Sequence, residues 1–278
     1  VSMTLTAMER ILPLLAPHEH RLLLGEHLHG RDMARASVYL EDEHLLAAVR
    51  RLMETLQTGE LWAAASLWHK HYNAALLSGF LAAMTLAGVG LDGSISNVSM
   101  SLSEEGLPRA AVLHSLAGIV VHPPRLKLDI SAPRVGLDVL HGRVLSSLFA
   151  NHLAPIVEQV HRVTGLPKRI LWGNAGNLCA DVYDGLRARP DVVAAVEEDR
   201  RVLLEQPDSP LMPGPNPLHQ SVRYEDLSGF GRASVVRVRE TCCQRYKLPG
   251  LLHCYTCPIL KGHERVALLR KLGLPEHA

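Results

Sequence analysis

The sequence predicts an α+β protein: a mostly helical body with a small antiparallel β-sheet, followed by a C-terminal segment that carries cysteines. Three observations lead there. Several long stretches repeat apolar residues at helical spacing, one stretch alternates as strands do, and four of the five cysteines crowd between positions 242 and 257. The 278 residues, 47% hydrophobic and 21% charged, suffice for one large domain or a domain with an appendage, and exclude disorder and coiled coil. Lys and Arg number 29 against 28 Asp and Glu, so the chain lacks the basic excess that draws proteins to nucleic-acid phosphates. With only 4% aromatic residues to stack on bases, no nucleic-acid partner is expected.

Near the start, the apolar run Ile11 to Ala16 is too short for the core of a secretion signal and has no basic residues massed before it. The odd, uneven cysteine set is no disulfide framework either, so the expected location is the reducing cytoplasm. Glu41 to Thr58 places Leu45, Leu46, Val49, Leu52, Met53 and Leu56 on one helix face, with Arg50 and Arg51 opposite. Leu61 to Ala87 continues as helix until Gly88 and Gly90. Its uncharged part, Ala74 to Val89, falls short of the roughly 20 residues that span a bilayer and reads as a buried core helix. Peripheral attachment at the inner membrane face stays compatible with it. Ile95 to Leu102 and Leu107 to His114 flank the Glu104-Glu105-Gly106 turn as a β-hairpin, and a third short strand is expected near Leu126 to Ile130.

Gly136 to Gly165 shows one long helical pattern, Asn174 to Arg187 another, and Pro190 opens a third at a first-turn position. Prolines 207, 210, 213, 215 and 217 then permit no regular element. The expected organisation is a body over 1–205, an extended Pro-rich linker over 206–217, and a C-terminal segment over 218–278. Within that segment, Ser234 to Glu240 reads as a strand that leads into the cysteines.

Cys242, Cys243, Cys254 and Cys257 are spaced Cys-Cys, ten residues, Cys, two residues, Cys. Extended, the chain between the second and third would reach about 36 Å, so thiolates that share a metal centre need a loop folded back on itself. Pro249-Gly250 supplies the turn, Pro by fixing φ and Gly by accepting positive φ. Four thiolates suit tetrahedral zinc or an iron–sulfur cluster. Only Cys254 and Cys257 form the claw that zinc knuckles usually pair with a second one, and adjacent Cys242 and Cys243 point to opposite sides of an extended chain. Two irons offer more ways to use them than one zinc, and Pro258 after the last cysteine is a feature of some ferredoxin loops. Both metals, and buried thiols without metal, stay open on residue chemistry alone.

This spacing resembles that of the FhuF-type ferric siderophore reductases, as does the segment Arg169-Ile170-Leu171-Trp172-Gly173-Asn174, which is similar to the family's Trp-Gly-Asn turn before a helix. The resemblance implies that Cys242, Cys243, Cys254 and Cys257 hold a [2Fe-2S] cluster, making 218–278 a cluster-binding segment. It further implies a reductase that passes one electron to the Fe(III) of a hydroxamate-type siderophore and releases Fe(II). Hard anionic oxygens favour Fe(III), and reduction weakens that preference. Such a protein needs a docking surface beside the cluster. Trp172 and Asn174 are candidates, with Asn174 read as the cap of the following helix, whose free N–H groups suit an anionic oxygen. Arg245 and Lys247 inside the cysteine loop are candidates to meet the chelate or a partner, and His253 to serve as an alternative ligand or proton acceptor. Cys179 lies on an apolar helix face and reads as an inert thiol.

Gly88-x-Gly90-x-x-Gly93 follows a helix rather than a strand, so it is no dinucleotide fingerprint. With no nicotinamide or flavin site, electrons are expected from a protein donor or a small reductant. His18, His20, His27, His29, His69 and His71 lack metal-ligand spacing. Two rival readings are a zinc-stabilised binding module and a cluster-bearing carrier or regulator without reductase activity.

Overall fold

The computed structural model describes residues 5–24, 33–125, 130–232 and 234–274. The strand expected near Leu126 to Ile130 falls largely outside the described residues, as do His27 and His29.

A short helix α1 (Leu5–Ile11) and two brief strands, β1 (Leu22–Leu24) and β2 (Met33–Arg35), precede the amphipathic α2 (Asp42–Thr55). Leu45, Val49 and Leu52 of α2 are buried, as its periodicity requires. The following α3 (Leu61–Ala82) is apolar almost all round and is buried along most of its length. A π turn over Ala83–Ala87 extends it to Gly88, which ends it in the left-handed conformation. Among the described residues no helix is long and apolar enough to cross a membrane.

Strands β3 (Val89–Leu91), β4 (Val98–Leu102), β5 (Pro108–Leu113), β6 (Gly118–Val121) and β7 (Arg134–Val135) come next. The expected hairpin is β4 and β5, antiparallel with Met100 opposite Ala111 and a register shift at Ser101/Leu102. It sits inside a four-stranded sheet ordered β1-β5-β4-β2, beside a three-stranded sheet ordered β3-β6-β7. Neither sheet is purely antiparallel: β1 runs parallel to β5, and β6 to β7. Strands of two to four residues are too short to show alternation, which is why these pairings escape a reading of the sequence.

The long pattern from Gly136 is α4 (Leu137–Leu145), a π segment over Ser146–Leu153, and α5 (Ala154–Thr164). Helix α6 (Lys168–Leu186) packs against α3 at the centre of the main core. After α7 (Val193–Arg200) and a further π turn, residues 206–217 hold no helix or strand among them. They do not run extended. The N–H of Asn216 donates to the Pro207 carbonyl at 2.8 Å, its side chain donates to the Leu203 and Gln206 carbonyls, and Leu211 is buried in the main core. Prolines remove helix and strand as options but leave the carbonyls free, and Asn216 gathers them into a closed loop.

The last part is an antiparallel ribbon of β8 (Val222–Asp226) and β9 (Val235–Arg239), the cysteine loop, and α8 (Gly262–Lys271). Leu227, Val236, Val238, Val266 and Leu269 form its own small core, separate from the main one.

Candidate metal centre

Helix α6 is the platform on which the cysteine segment rests. A Cβ at Gly173 would lie 2.0 Å from Thr241 Oγ1, and one at Gly176 would lie 2.0 Å from Ser221 Oγ and 2.6 Å from its Cβ, so the two glycines let the ribbon approach this closely, Gly176 most strictly. Further along the same face, Arg237 of β9 donates to the carboxylates of Asp181 and Asp184. These contacts fix where β9 ends and where Cys242 begins.

From there the chain turns back as the sequence requires. Gln244 has positive φ, Arg245–Lys247 form one 3-10 turn, and the Leu251 N–H donates to the Leu248 carbonyl at 3.1 Å across Pro249-Gly250, with Gly250 at φ +71°. The Cys257 N–H donates to the Cys254 carbonyl at 2.9 Å, closing the claw. Arg265 of α8, fully buried, donates to the carbonyls of Tyr255, Cys257 and Leu260, which clamps the claw from behind.

The four thiols form one connected set, in which Cys254 also meets Cys257. Cys242 Sγ lies 3.9 Å from Cys257 Sγ, and Cys243 Sγ lies 3.9 Å from Cys254 Sγ. Two sulfurs on one tetrahedral metal with bonds near 2.3 Å are about 3.8 Å apart, so each pair has the spacing of two ligands on one ion. Among the described residues no three His, Cys, Asp or Glu side chains converge on a single point. Cys243 and Cys257 are buried, whereas Cys242 and Cys254 are half-buried. Hydrogen bonds between the thiols split their acidities: Cys242 is pulled down to about 6 by Cys257, Cys254 is lowered chiefly by Cys243, and Cys243 and Cys257 are pushed up as the donors.

His253 Nδ1 lies 3.5 Å from Cys257 Sγ, and its ring stacks on Tyr246 with centroids 4.2 Å apart. Lys247 reaches Glu60, next to the start of α3, at 4.0 Å. Trp172 and Asn174 stand elsewhere than expected. They lie inside α6 rather than in a turn before it, because Pro167 sets the entry and the helix starts at Lys168. Asn174 is 2% exposed and caps nothing: its amide donates to Ser66 Oγ at 3.0 Å and its Oδ1 accepts from Arg239. Trp172 is half-buried against the main core. Cys179 is fully buried, and desolvation pushes its thiol up, as suits an inert group.

Arg237, Arg239 and Arg265 were not among the candidates, yet each is at most 5% exposed and bears on the loop. The first two are legible in Val235-Val236-Arg237-Val238-Arg239: residues two apart on a strand share a face, so both arginines turn toward whatever the ribbon packs on.

The class that this fold and site define is an α+β protein with a paired-thiol centre on its C-terminal ribbon. Residues 66–229, more than half of the chain, match the family described as ferric iron reductase FhuF-like transporter, and the chain belongs to that family. The matched span ends before the cysteines. Among curated proteins none matches the chain. Solved structures that share the fold include two aerobactin synthetases. Aerobactin synthetase IucC from a hypervirulent pathotype of Klebsiella pneumoniae is 12% identical, with a TM-score of 0.57 over 77% of this chain and 46% of that one. ATP-bound aerobactin synthetase IucA from the same source is 17% identical, with a TM-score of 0.52 over 65% and 34%. The chain thus spans less than half the length of either synthetase.

Proposed function

We propose that the protein is a ferric siderophore reductase in which Cys242 and Cys257 bind one iron of a [2Fe-2S] cluster and Cys243 and Cys254 bind the other. The observation that carries this reading is the convergence of the four thiols, with Cys242 and Cys257, and Cys243 and Cys254, each 3.9 Å apart. When bound, such a cluster supplies a one-electron donor at a protein surface. The chain's own residues do the rest. The ribbon on α6 and the Arg265 clamp hold the four sulfurs in place, and the half-buried Cys242 and Cys254 bring the centre to the surface. Arg245 and Lys247, between the two halves of the cysteine set, present positive charge to an anionic chelate, with Trp172 as a further contact. Asn174 is too deep to touch substrate and acts through Arg239. We place the reaction in the reducing cytoplasm, where free thiols persist, with electrons from a protein donor or a small reductant.

The test is anaerobic. Purified protein should carry iron and sulfide and absorb visible light, and dithionite should bleach it. On mixing with ferric hydroxamates the colour should return while a chelator traps Fe(II). Ferric aerobactin is the first to try, given the aerobactin synthetases that share the fold. A colourless protein with bound zinc overturns the cluster and supports a zinc-stabilised module. A coloured protein that never reoxidises on ferric chelates is a carrier or regulator instead.

A further inference from the structure

Arg239 is fully buried, and only one of its guanidinium nitrogens has a partner: Nη2 donates to Asn174, whereas Nε and Nη1 bond to nothing among the described residues. A buried guanidinium with two idle donors is strongly unfavourable unless an anion completes it. No carboxylate among the described residues hydrogen-bonds to it or pairs with it. Arg232 and Arg237, the other arginines near β9, behave differently: Arg232 donates to Ser234 and the Leu274 carbonyl, and Arg237 to two aspartates.

The backbone of Arg239 ties β9 to the cysteine loop. Its backbone N–H donates at 2.9 Å to the carbonyl of Thr256, which sits between Cys254 and Cys257, and Cys242 follows three residues on. Its guanidinium hydrogen-bonds to none of the four thiols, so Nε and Nη1 stay open for a group held by that loop. Also within reach of its charge is His69 of α3, fully buried, with Nε2 unpartnered and Nδ1 at 3.2 Å from the Asn73 amide. Burial first and Arg239 second hold His69 neutral, so it brings no counter-charge. Nothing among the described residues completes Arg239, and the segment that its strand leads into and pairs with is the one that carries the cysteines.

We propose that Arg239, with Nε and Nη1 left open, is the buried counter-charge of the cysteine-held centre, a positioning residue whose fixed charge raises the centre's midpoint potential. The inference rests on the iron–sulfur reading above. Four thiolates give the centre net negative charge, and accepting an electron adds one more, so a fixed cation stabilises the reduced state more than the oxidised one. Arg265 makes the contrast. It is equally buried, but two of its nitrogens are committed to carbonyls and it faces Glu225 at 3.6 Å, which makes it a brace.

The experiment uses the full-length, cluster-loaded protein and an optical redox titration. R239Q should keep its iron and visible spectrum, yet at a fixed solution potential its reduced-to-oxidised ratio should fall at least tenfold, a shift of about 59 mV for one electron. R239K, which keeps the charge, should recover most of that loss. A scaffold role alone predicts wild-type potentials in both variants, and that result overturns the inference. Should R239Q lose its cluster, wild-type protein grown on guanidino-15N arginine decides. Reduced and examined by pulsed electron paramagnetic resonance, it should show nitrogen coupling that R239K lacks; no coupling in the wild type, or coupling that persists in R239K, overturns the inference. Wild-type protein without iron and sulfide removes both this inference and the proposed function, whereas a loaded wild type with an unmoved R239Q removes this inference alone.

Discussion

Asp199 is fully buried and still holds its charge. Its carboxylate accepts from Thr85 Oγ1 at 2.8 Å, from Arg125 at 2.8 and 3.0 Å and from His141 Nε2 at 2.8 Å, which ties α7 to the end of α3, to the loop before β7 and to α4. Burial pushes its pKa up, but the hydrogen bonds from His141 and Arg125 outweigh that and leave it below the ordinary carboxylate value. Because the folded value is depressed, its stabilisation is present above the unfolded carboxylate pKa and is lost as pH falls through the folded one. D199N leaves Arg125 without its counter-ion and should lower unfolding free energy in urea at neutral pH by about 3–5 kcal/mol. His152 acts at higher pH. Enclosed between the Gly93 carbonyl at 2.7 Å and the Tyr72 hydroxyl at 2.7 Å, it is lowered by burial to about 4. Between about 6.5 and that value the unfolded chain binds a proton that the folded one refuses, so stability falls as pH falls across this window, by roughly 3 kcal/mol for this residue. Thermal melts from pH 7 to 4 should show the decline, and H152Q should flatten it.

Helix α6 presents Gly173, Gly176, Asn177, Asp181 and Asp184 to the ribbon. The two glycines differ in what an added methyl meets. At Gly173 the nearest atom is a Thr241 hydroxyl that can rotate away, whereas at Gly176 the Cβ of Ser221 itself lies at 2.6 Å. G176A must therefore shift backbone and should cost about 1–3 kcal/mol; it should also lower iron retained per chain more than G173A does. Equal retention in both variants would show that the ribbon does not depend on this approach. The helix was legible in the sequence only from Asn174 onward. Gly173 suggests a break when read by propensity, yet its reason for being there is tertiary contact with Thr241. The apolar spacing of α2 and α5 was legible because a buried face imposes period 3.6, and α3 as a long run ended by glycine. The brief parallel strands were not: two to four residues show no period, and β1 takes its register from β5, far away in the chain.

The molecule has one large core and a minor one of five buried side chains beneath the cysteines. So few residues do not hold a ribbon and a helix together unaided. The C-terminal segment therefore depends on its seat on α6 and on whatever its sulfurs bind. Removing metal with a chelator should make residues 240–260 cleavable in limited proteolysis followed by mass spectrometry, with the helical signal of the body unchanged. Uniform resistance before and after removal would sink that dependence. The four cysteines were legible as a group because so little else brings thiols together at such spacing, but which sulfur meets which was not, because it is set by a turn at Pro249-Gly250 and by the clamp from Arg265. The same closeness has a cost in air. Sulfurs at 3.9 Å need draw in only to about 2.0 Å to bond to each other, so thiols left bare under oxygen should drift toward a doubly cross-linked form, four hydrogens lighter, with no cysteine open to a metal until a reducing thiol reopens it.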